Sequence, residues 1–125
     1  MISKEYIELA KKTESNDHGP IIERLSRDAT VRILHAAMGV STEAGELLDA
    51  VKKYVFYGKP LDETNLFEEV GDIFWYLAIM ADELGFDFET AMQKNIAKLQ
   101  ARYGAAFSSE RAQKRDLDKE RQILS

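Results

Sequence analysis

Residues 69–81 read Glu69-Val-Gly-Asp-Ile-Phe-Trp-Tyr-Leu-Ala-Ile-Met-Ala81. Beyond the two acids the segment carries no charge, which favours a helix that is apolar on nearly every side and therefore has to be buried. Acidic side chains at the entrance of such a helix are expected to be partly buried as well. The stretch predicts a helical protein that holds carboxylates close to its core.

The rest of the chain also predicts helices. Only Pro20 and Pro60 occur in 125 residues, and strand patterns are nearly absent. Start and stop signals predict helices over about 4–14, 28–56, 63–84 and 88–103, with a turn-rich break at 15–20. We expect one all-α, four-helix-bundle-like domain over residues 1–125, with a core from about 26 to 104 and a C-terminal arm from 105 to 125.

Composition excludes several classes of protein. Cysteine is absent, so no disulfide framework or thiolate metal site is possible. The longest apolar run is far short of the roughly 20 residues that span a bilayer, and Lys4 and Glu5 interrupt any apolar signal core. The net charge is -5 without a basic block, which disfavours nucleic-acid binding. We expect a cytoplasmic protein with neither membrane nor nucleic-acid partners, and one encoded by a phage and acting in its host cytoplasm is compatible.

Two pairs of acids stand out among the 22 acidic residues. Glu43 with Glu46, and Glu69 with Asp72, are each three apart, which places them on one helix face with Cβ atoms roughly 5–6 Å apart. A solvated helix face is the commoner explanation for any one such pair. The apolar neighbours of these two pairs favour partial burial instead.

Each acidic pair also encloses a glycine, Gly45 in one and Gly71 in the other. Glycine inside a helix costs about 1 kcal/mol relative to alanine, which suggests close approach by another backbone or a ligand. If the two long helices pack antiparallel through the connection 58–62, the two pairs meet in one crevice. Four carboxylates that close require protons or divalent cations to offset their repulsion.

The donor types indicate which cation would be bound. Oxygen ligands without cysteine or paired histidine select Mg²⁺ or Mn²⁺. A di-iron carboxylate bundle needs Glu-x-x-His motifs, and neither His18 nor His35 follows a glutamate at that spacing. Hard divalent cations would also allow an acidic protein to hold an anionic substrate.

Several other side chains are candidates for contacting such a substrate. His35 precedes Glu43 by eight residues, about two helical turns, although a half-buried histidine with satisfied hydrogen bonds is the commoner alternative. Tyr76 follows Asp72 by four residues and offers a hydroxyl, or serves the core. Lys53 and Lys59 are candidates for binding phosphate, with simple solvent exposure as the alternative. A polar stripe on the helix over 88–103, usually a solvated face, becomes a candidate only through its relation to the proposed site; it consists of Asn95, Lys98, Arg102 and Tyr103.

Taken together, these motifs resemble the MazG-like all-alpha nucleoside triphosphate pyrophosphatases, whose signature is Glu-x-x-Glu, a spacer and Glu-x-x-Asp. The likeness covers roughly residues 30–124 and is specific as a set. Its parts are the segment that begins at His35 and includes Glu43-Ala-Gly-Glu46, then Phe56-Tyr-Gly-Lys-Pro60, Glu69-Val-Gly-Asp72, Asn95-Ile-Ala-Lys-Leu-Gln-Ala-Arg-Tyr103 and Arg115-Asp-Leu-Asp-Lys-Glu-Arg121.

The resemblance implies a MazG-type fold and an enzyme that converts a (d)NTP and water to a (d)NMP and pyrophosphate. It implies two or three Mg²⁺ or Mn²⁺ ions per site, held by Glu43, Glu46, Glu69 and Asp72. Asn95 and Lys98 match positions that face the phosphates in such enzymes. Phage-carried relatives called MazZ act on guanine nucleotides, so (d)GTP is the favoured substrate, with dUTP or dCTP as alternatives.

A carboxylate that still has an oxygen free of metal coordination can orient the attacking water or take its proton. Either Glu43 or Glu46 is expected to have this catalytic role. The competing hypothesis from a different class is a non-catalytic helical module, whose acids are solvated and whose apolar faces serve only oligomerisation or interaction. Metal-dependent turnover of a nucleotide distinguishes the two.

Apolar surface predicts a homodimer or homotetramer. The helix over 63–84 carries Phe74, Trp75 and Ile79 on faces that its main apolar stripe leaves uncovered, and a twofold interface is the commonest way to bury such a patch. The helix over 88–103 is expected to bury an apolar stripe of its own, made of Phe88, Ala91, Met92, Ile96 and Leu99.

Overall fold

A computed structural model of the chain describes residues 2–125. In this range the chain is helical with no strand, so the all-α class is confirmed. None of the described helices is long and apolar enough to cross a membrane. The helices are α1 (Ser3–Thr13), α2 (Gly19–Leu25), α3 (Asp28–Tyr57), α4 (Glu63–Leu84), α5 (Phe88–Tyr103), α6 (Ser109–Gln113) and α7 (Leu117–Leu124).

The boundaries of the long helices follow from their caps. The carboxylates of Asp62 and Asp87 accept first-turn backbone N–H groups of α4 and α5, at 3.0 and 2.7 Å. Gly58 and Gly85 end α3 and α4 with φ of 64° and 72°, a left-handed conformation in which glycine carries no Cβ strain. These signals are local, which is why the predicted bounds of α3, α4 and α5 are confirmed within a residue or two.

The predicted break at 15–20 is wrong at its end. The irregular segment is shorter, and α2 already begins at Gly19 with Pro20 in its first turn. Proline is well tolerated there, because a first-turn N–H has no partner within the helix and the fixed φ of proline suits a helix. Pro20 therefore marks the start of a helix, whereas the sequence analysis assigned it to the break between helices.

The main packed unit is an antiparallel hairpin of α3 and α4, joined by the short connection 58–62. Near its middle the ring of Tyr76 lies directly against Gly39, where an added Cβ would overlap the ring. At the open end of the hairpin the Arg32 guanidinium binds the carboxylates of Asp82 and Glu83 on α4. These contacts align the two helices along their length.

The C-terminal helices pack on α5. The buried carboxylate of Glu120 in α7 accepts from Nε and Nη2 of Arg102 at 2.7 and 3.1 Å, and Arg115 donates to it as well. Hydrogen bonds from these two guanidinium groups lower the pKa of Glu120 to about 2. These ion pairs of Glu120 with Arg102 and Arg115 hold the C-terminal tail against its own chain, and we call them the α5–α7 lock.

Large apolar side chains are mostly uncovered within one chain. The buried apolar residues among those described are Ala36 and Ala81. The expectation that α5 buries its stripe is wrong for Phe88, Met92 and Ile96, which are 38%, 61% and 54% exposed, and for Ala91, which is exposed as well. The physical reason is that α5 packs against α7 and forms no comparable interface with the α3–α4 hairpin.

Candidate functional site

The two acidic helices bring three carboxylates together. Glu43 projects from α3, and Glu69 and Asp72 project from α4. One carboxylate oxygen of each lies within 4.8 Å of the others. Glu69 is buried, Glu43 is half-buried and Asp72 is exposed, so the carboxylate cluster of these three residues opens to solvent on one side.

Electrostatics at the carboxylate cluster are dominated by the contact between Glu69 and Glu43. The hydrogen bond between their carboxyl groups raises the pKa of Glu69 to about 7. Burial of Glu69 and repulsion from the surrounding carboxylates act in the same direction. In the absence of a cation, a proton shared by the two groups therefore offsets their repulsion near neutral pH.

The donor set of the carboxylate cluster fits a hard divalent cation. All three donors are carboxylate oxygens from two helices, the ligand type that Mg²⁺ and Mn²⁺ prefer. A cation bound there would replace the shared proton and offset the same repulsion. No other group of acids or histidines within residues 2–125 has this geometry.

Glu46 lies at the margin of this cluster. It is exposed and outside the group of three, although its charge contributes to the raised pKa of Glu69. Its side chain lines a cleft of about 370 Å³ at the closed end of the hairpin. Glu46 therefore connects the carboxylate cluster to this cleft.

The hairpin-end cleft combines charges of both signs. Its lining includes Lys53, whose Nζ lies 2.6 Å from a carboxylate oxygen of Asp49. This hydrogen bond raises the pKa of Lys53 and lowers that of Asp49, so both stay charged. The complete lining is Glu46, Asp49, Ala50, Lys53, Lys59, Pro60, Asp62 and Asn65.

An aromatic pair lies on the other side of the cluster. The rings of His35 and Tyr76 meet edge to face with centroids 5.6 Å apart, and Trp75 packs against Tyr76 at 5.0 Å. Tyr76 is half-buried and His35 is exposed, so an edge of this pair is accessible. From its open end to its closed end, the hairpin thus carries the aromatic pair, the carboxylate cluster and the cleft.

The three residues predicted on α5 lie apart from both the carboxylate cluster and the hairpin-end cleft. Asn95 borders an apolar groove between α4 and α5, Lys98 is half-buried, and Arg102 is held by Glu120. None of them lines the cleft that contains Glu46. The guanidinium of Arg102 is committed to a partner 18 residues further along, which sequence spacing could not indicate.

Asn65 is one of the cleft residues that the sequence analysis did not name as a site candidate. It lies four residues before Glu69 on the same helix, so the spacing that identified the acidic pairs would also have placed it on their face. Within the described chain no other backbone approaches Gly45 or Gly71, since nothing lies within 4 Å of a Cβ built at either glycine. Approach by a ligand stays a prediction, and a close contact of α3 is instead found at Gly39.

Comparison with known proteins identifies the family. The model of the MazG nucleotide pyrophosphohydrolase domain matches residues 33–107, a range that contains all four acids of the two motifs. The Gene 37 protein of Mycobacterium phage L5 is 33% identical over 79 residues, which cover 60% of this chain and 69% of the phage protein. No solved structure matches the chain significantly. The chain therefore belongs to the MazG nucleotide pyrophosphohydrolase family and is a hydrolase acting on nucleoside triphosphates.

Proposed function

We propose that this protein uses the carboxylate cluster to hydrolyse a (d)NTP to a (d)NMP and pyrophosphate in the presence of Mg²⁺ or Mn²⁺. The observation that carries the proposal is the convergence of Glu43, Glu69 and Asp72 within 4.8 Å, inside the range matched by the family model. Carboxylates at this separation repel one another in the metal-free protein, and the same spacing lets them bind divalent cations together.

Glu43, Glu69 and Asp72, with Glu46 at the margin, would hold two or three cations. Such cations supply positive charge to the phosphate oxygens and lower the pKa of water. Loss of the proton shared by Glu43 and Glu69 would accompany their binding, since ligands must be ionised. The protein itself contributes the fixed spacing of the donors, which the α3–α4 packing sets.

Glu46 is the better candidate for the general base. It is exposed and lies outside the tight group of three, so it retains a carboxylate oxygen that can accept a proton from the attacking water. Glu43 is the alternative, although its hydrogen bond with Glu69 occupies it. Hydrolysis breaks the bridge between the first and second phosphates, and negative charge accumulates on the departing pyrophosphate.

Substrate contacts are proposed on both sides of the cluster. His35 and Tyr76 offer ring faces and edges to the nucleoside, and Lys53 offers charge to the phosphates. Asn95 and Lys98 remain proposed phosphate contacts only if another subunit or a movement brings α5 to the cluster. Arg102 is better assigned to the α5–α7 lock, because Glu120 occupies its guanidinium.

Self-association is proposed as part of the function. Phe67, Phe74 and Trp75 on α4 are 81%, 57% and 57% exposed, and such patches mark protein interfaces. A second copy offers the same apolar faces through a twofold axis, which supports a homodimer or a homotetramer. Because Trp75 packs against Tyr76, assembly would also support the aromatic side of the site.

A nucleotide panel tests the proposal. The common NTPs and dNTPs are incubated with Mg²⁺, with Mn²⁺ or with EDTA, and the rates are compared. We expect turnover with either cation and none with EDTA, and we favour (d)GTP over dUTP and dCTP. If no nucleotide is turned over with either cation, the chain is instead a non-catalytic helical oligomerisation module.

A further inference from the structure

The α3–α4 hairpin has two chemically different ends. At the closed end, the hairpin-end cleft contains Lys53 and Lys59. At the open end, Arg32 is neutralised by Asp82 and Glu83, which leaves an excess of negative charge around it. Because acids also line the closed end, the two ends differ in the availability of their cations: Lys59 at the closed end has no carboxylate partner among the described residues, whereas Arg32 at the open end is paired twice.

Lys59 is the cation of the cleft that is free to bind a ligand. Within residues 2–125 it has no carboxylate partner, whereas Asp49 is occupied by Lys53 and, at 3.5 Å, by Lys52. The carboxylate of Asp62 accepts a backbone N–H and caps α4. Glu46 also lines the cleft, and in the described part of the chain none of the three acids of the cleft forms an ion pair with Lys59.

Lys53 and Asn65 can add to the binding of an anion. The ammonium group of a lysine has three donors, so the bond from Lys53 to Asp49 leaves others available for phosphate oxygens. The amide group of Asn65 contributes neutral donors on the opposite wall of the cleft. The cleft volume of about 370 Å³ leaves room for a small polyphosphate and its water.

Distances along the hairpin match the two parts of a nucleotide. Lys53 follows Glu46 by seven residues, about 10 Å along the helix axis, and the long stem of a lysine shortens this gap. His35 precedes Glu43 by eight residues, about 12 Å. A pair of phosphates suits the nearer side, where the two lysines lie, and a ribose with its base suits the aromatic side.

On these grounds, and resting on the proposed function, we infer that the substrate binds in one direction along the hairpin. Its two terminal phosphates occupy the hairpin-end cleft at Lys53, Lys59 and Asn65, and its nucleoside extends toward His35 and Tyr76. Hydrolysis at the carboxylate cluster then leaves pyrophosphate in the cleft and the monophosphate on the aromatic side. The cleft is thereby the leaving-group site.

Product inhibition tests this direction, because each product reports on one side of the cluster. The variants Lys59→Gln and Lys53→Gln are compared with the wild type for inhibition by pyrophosphate and by the nucleoside monophosphate. Loss of one charge-assisted contact should weaken pyrophosphate inhibition about tenfold and leave monophosphate inhibition unchanged. Lys52→Gln is the matched control, because Lys52 is the adjacent lysine on α3 but does not line the cleft.

Three results separate failure of this inference from failure of the proposed function. Weaker inhibition by the monophosphate alone would reverse the direction, and unchanged inhibition by both products would exclude the cleft as a phosphate site. If the wild type turns over no nucleotide, calorimetry with pyrophosphate and Mg²⁺ still decides the point. Binding that Lys59→Gln weakens and Lys52→Gln preserves supports the cleft, and equal binding by all three proteins overturns it.

Discussion

Glu43 on α3 and Glu69 on α4 face each other across the helix pair, and their carboxyl groups share a hydrogen bond that raises the pKa of Glu69 to about 7. Asp72 lies within 4.8 Å of both, so the most strongly packed helices of the chain meet around concentrated negative charge. The same arrangement that destabilises the empty protein prepares it to bind divalent cations.

The metal-free protein should lose stability as the pH rises. Because the pKa of Glu69 is raised from 4.5 to about 7 on folding, the folded state holds the proton more tightly than the unfolded state. The resulting penalty is absent below 4.5, grows between the two values and is complete above 7. Thermal melts in EDTA should show this decline, and Mg²⁺ should reverse it at the alkaline end.

Glu69→Gln provides the control for this pH dependence. The amide cannot ionise, so the variant should lack that decline in melting temperature and should match or exceed the wild type at alkaline pH. Identical pH profiles for the two proteins would contradict the assignment of the raised pKa to Glu69.

Breaking the α5–α7 lock should destabilise the C-terminal region. Glu120→Gln removes the charge that Arg102 and Arg115 bind and leaves two cations without their partner, so the melting temperature should fall by several degrees. Because the pKa of Glu120 is lowered to about 2, the wild type itself should lose this stabilisation as the pH falls below 4.5.

Glu110→Gln is the matched control for the lock. Glu110 pairs with Lys114 on the surface at 3.1 Å, and both side chains are about three-quarters exposed, so its loss should have little effect. Equal changes in melting temperature for Glu110→Gln and Glu120→Gln would show that the α5–α7 lock contributes no more to stability than an exposed ion pair.

Two glycines of α3 should respond oppositely to alanine. Gly39→Ala places a methyl group in the ring of Tyr76 and should destabilise the protein by about 1–3 kcal/mol. Gly45→Ala meets open space and should stabilise the helix by up to about 1 kcal/mol. Urea denaturation measures both. A stable but inactive Gly45→Ala protein would indicate that a ligand or a second subunit approaches this glycine.

Assembly should depend on the exposed face of α4. Trp75→Glu introduces a charge into an apolar surface and should dissociate the oligomer and reduce turnover, since Trp75 supports Tyr76. Gln93→Glu adds the same charge at an exposed polar position of α5 and should leave assembly intact. Sedimentation at micromolar concentration measures the change. A fully active wild-type monomer would refute the prediction.

Local signals explain what the sequence could predict. Asp62, Gly58, Gly85 and Asp87 determine helix ends through contacts with their own neighbours, and these ends are confirmed. The acidic pairs could be located because a helix repeats every 3.6 residues and the connecting loop is short. The convergence of Glu43 with Glu69 and Asp72 needed only that two adjacent helices pack antiparallel, whereas Glu46 lies outside the group.

What could not be predicted depends on distant contacts. The bond between Arg102 and Glu120 joins separate helices, so helical spacing could not show that the guanidinium of Arg102 binds Glu120. The position of Tyr76 over Gly39 likewise follows from the register of α3 against α4. The exposure of Phe88 and Met92 was not predicted, because apolar periodicity identifies an apolar helix face but does not tell whether the same chain covers it.

The most direct test of the carboxylate cluster as a pyrophosphohydrolase site is to resolve the products of nucleotide hydrolysis in Mg²⁺ for the wild type and Glu69→Gln side by side. Glu8→Gln serves as control, because Glu8 belongs to an equally spaced acidic pair on exposed α1. The account predicts equal amounts of nucleoside monophosphate and pyrophosphate from the wild type and the control, and neither from Glu69→Gln. Accumulation of nucleoside diphosphate with inorganic phosphate, or undiminished turnover by Glu69→Gln, would contradict it.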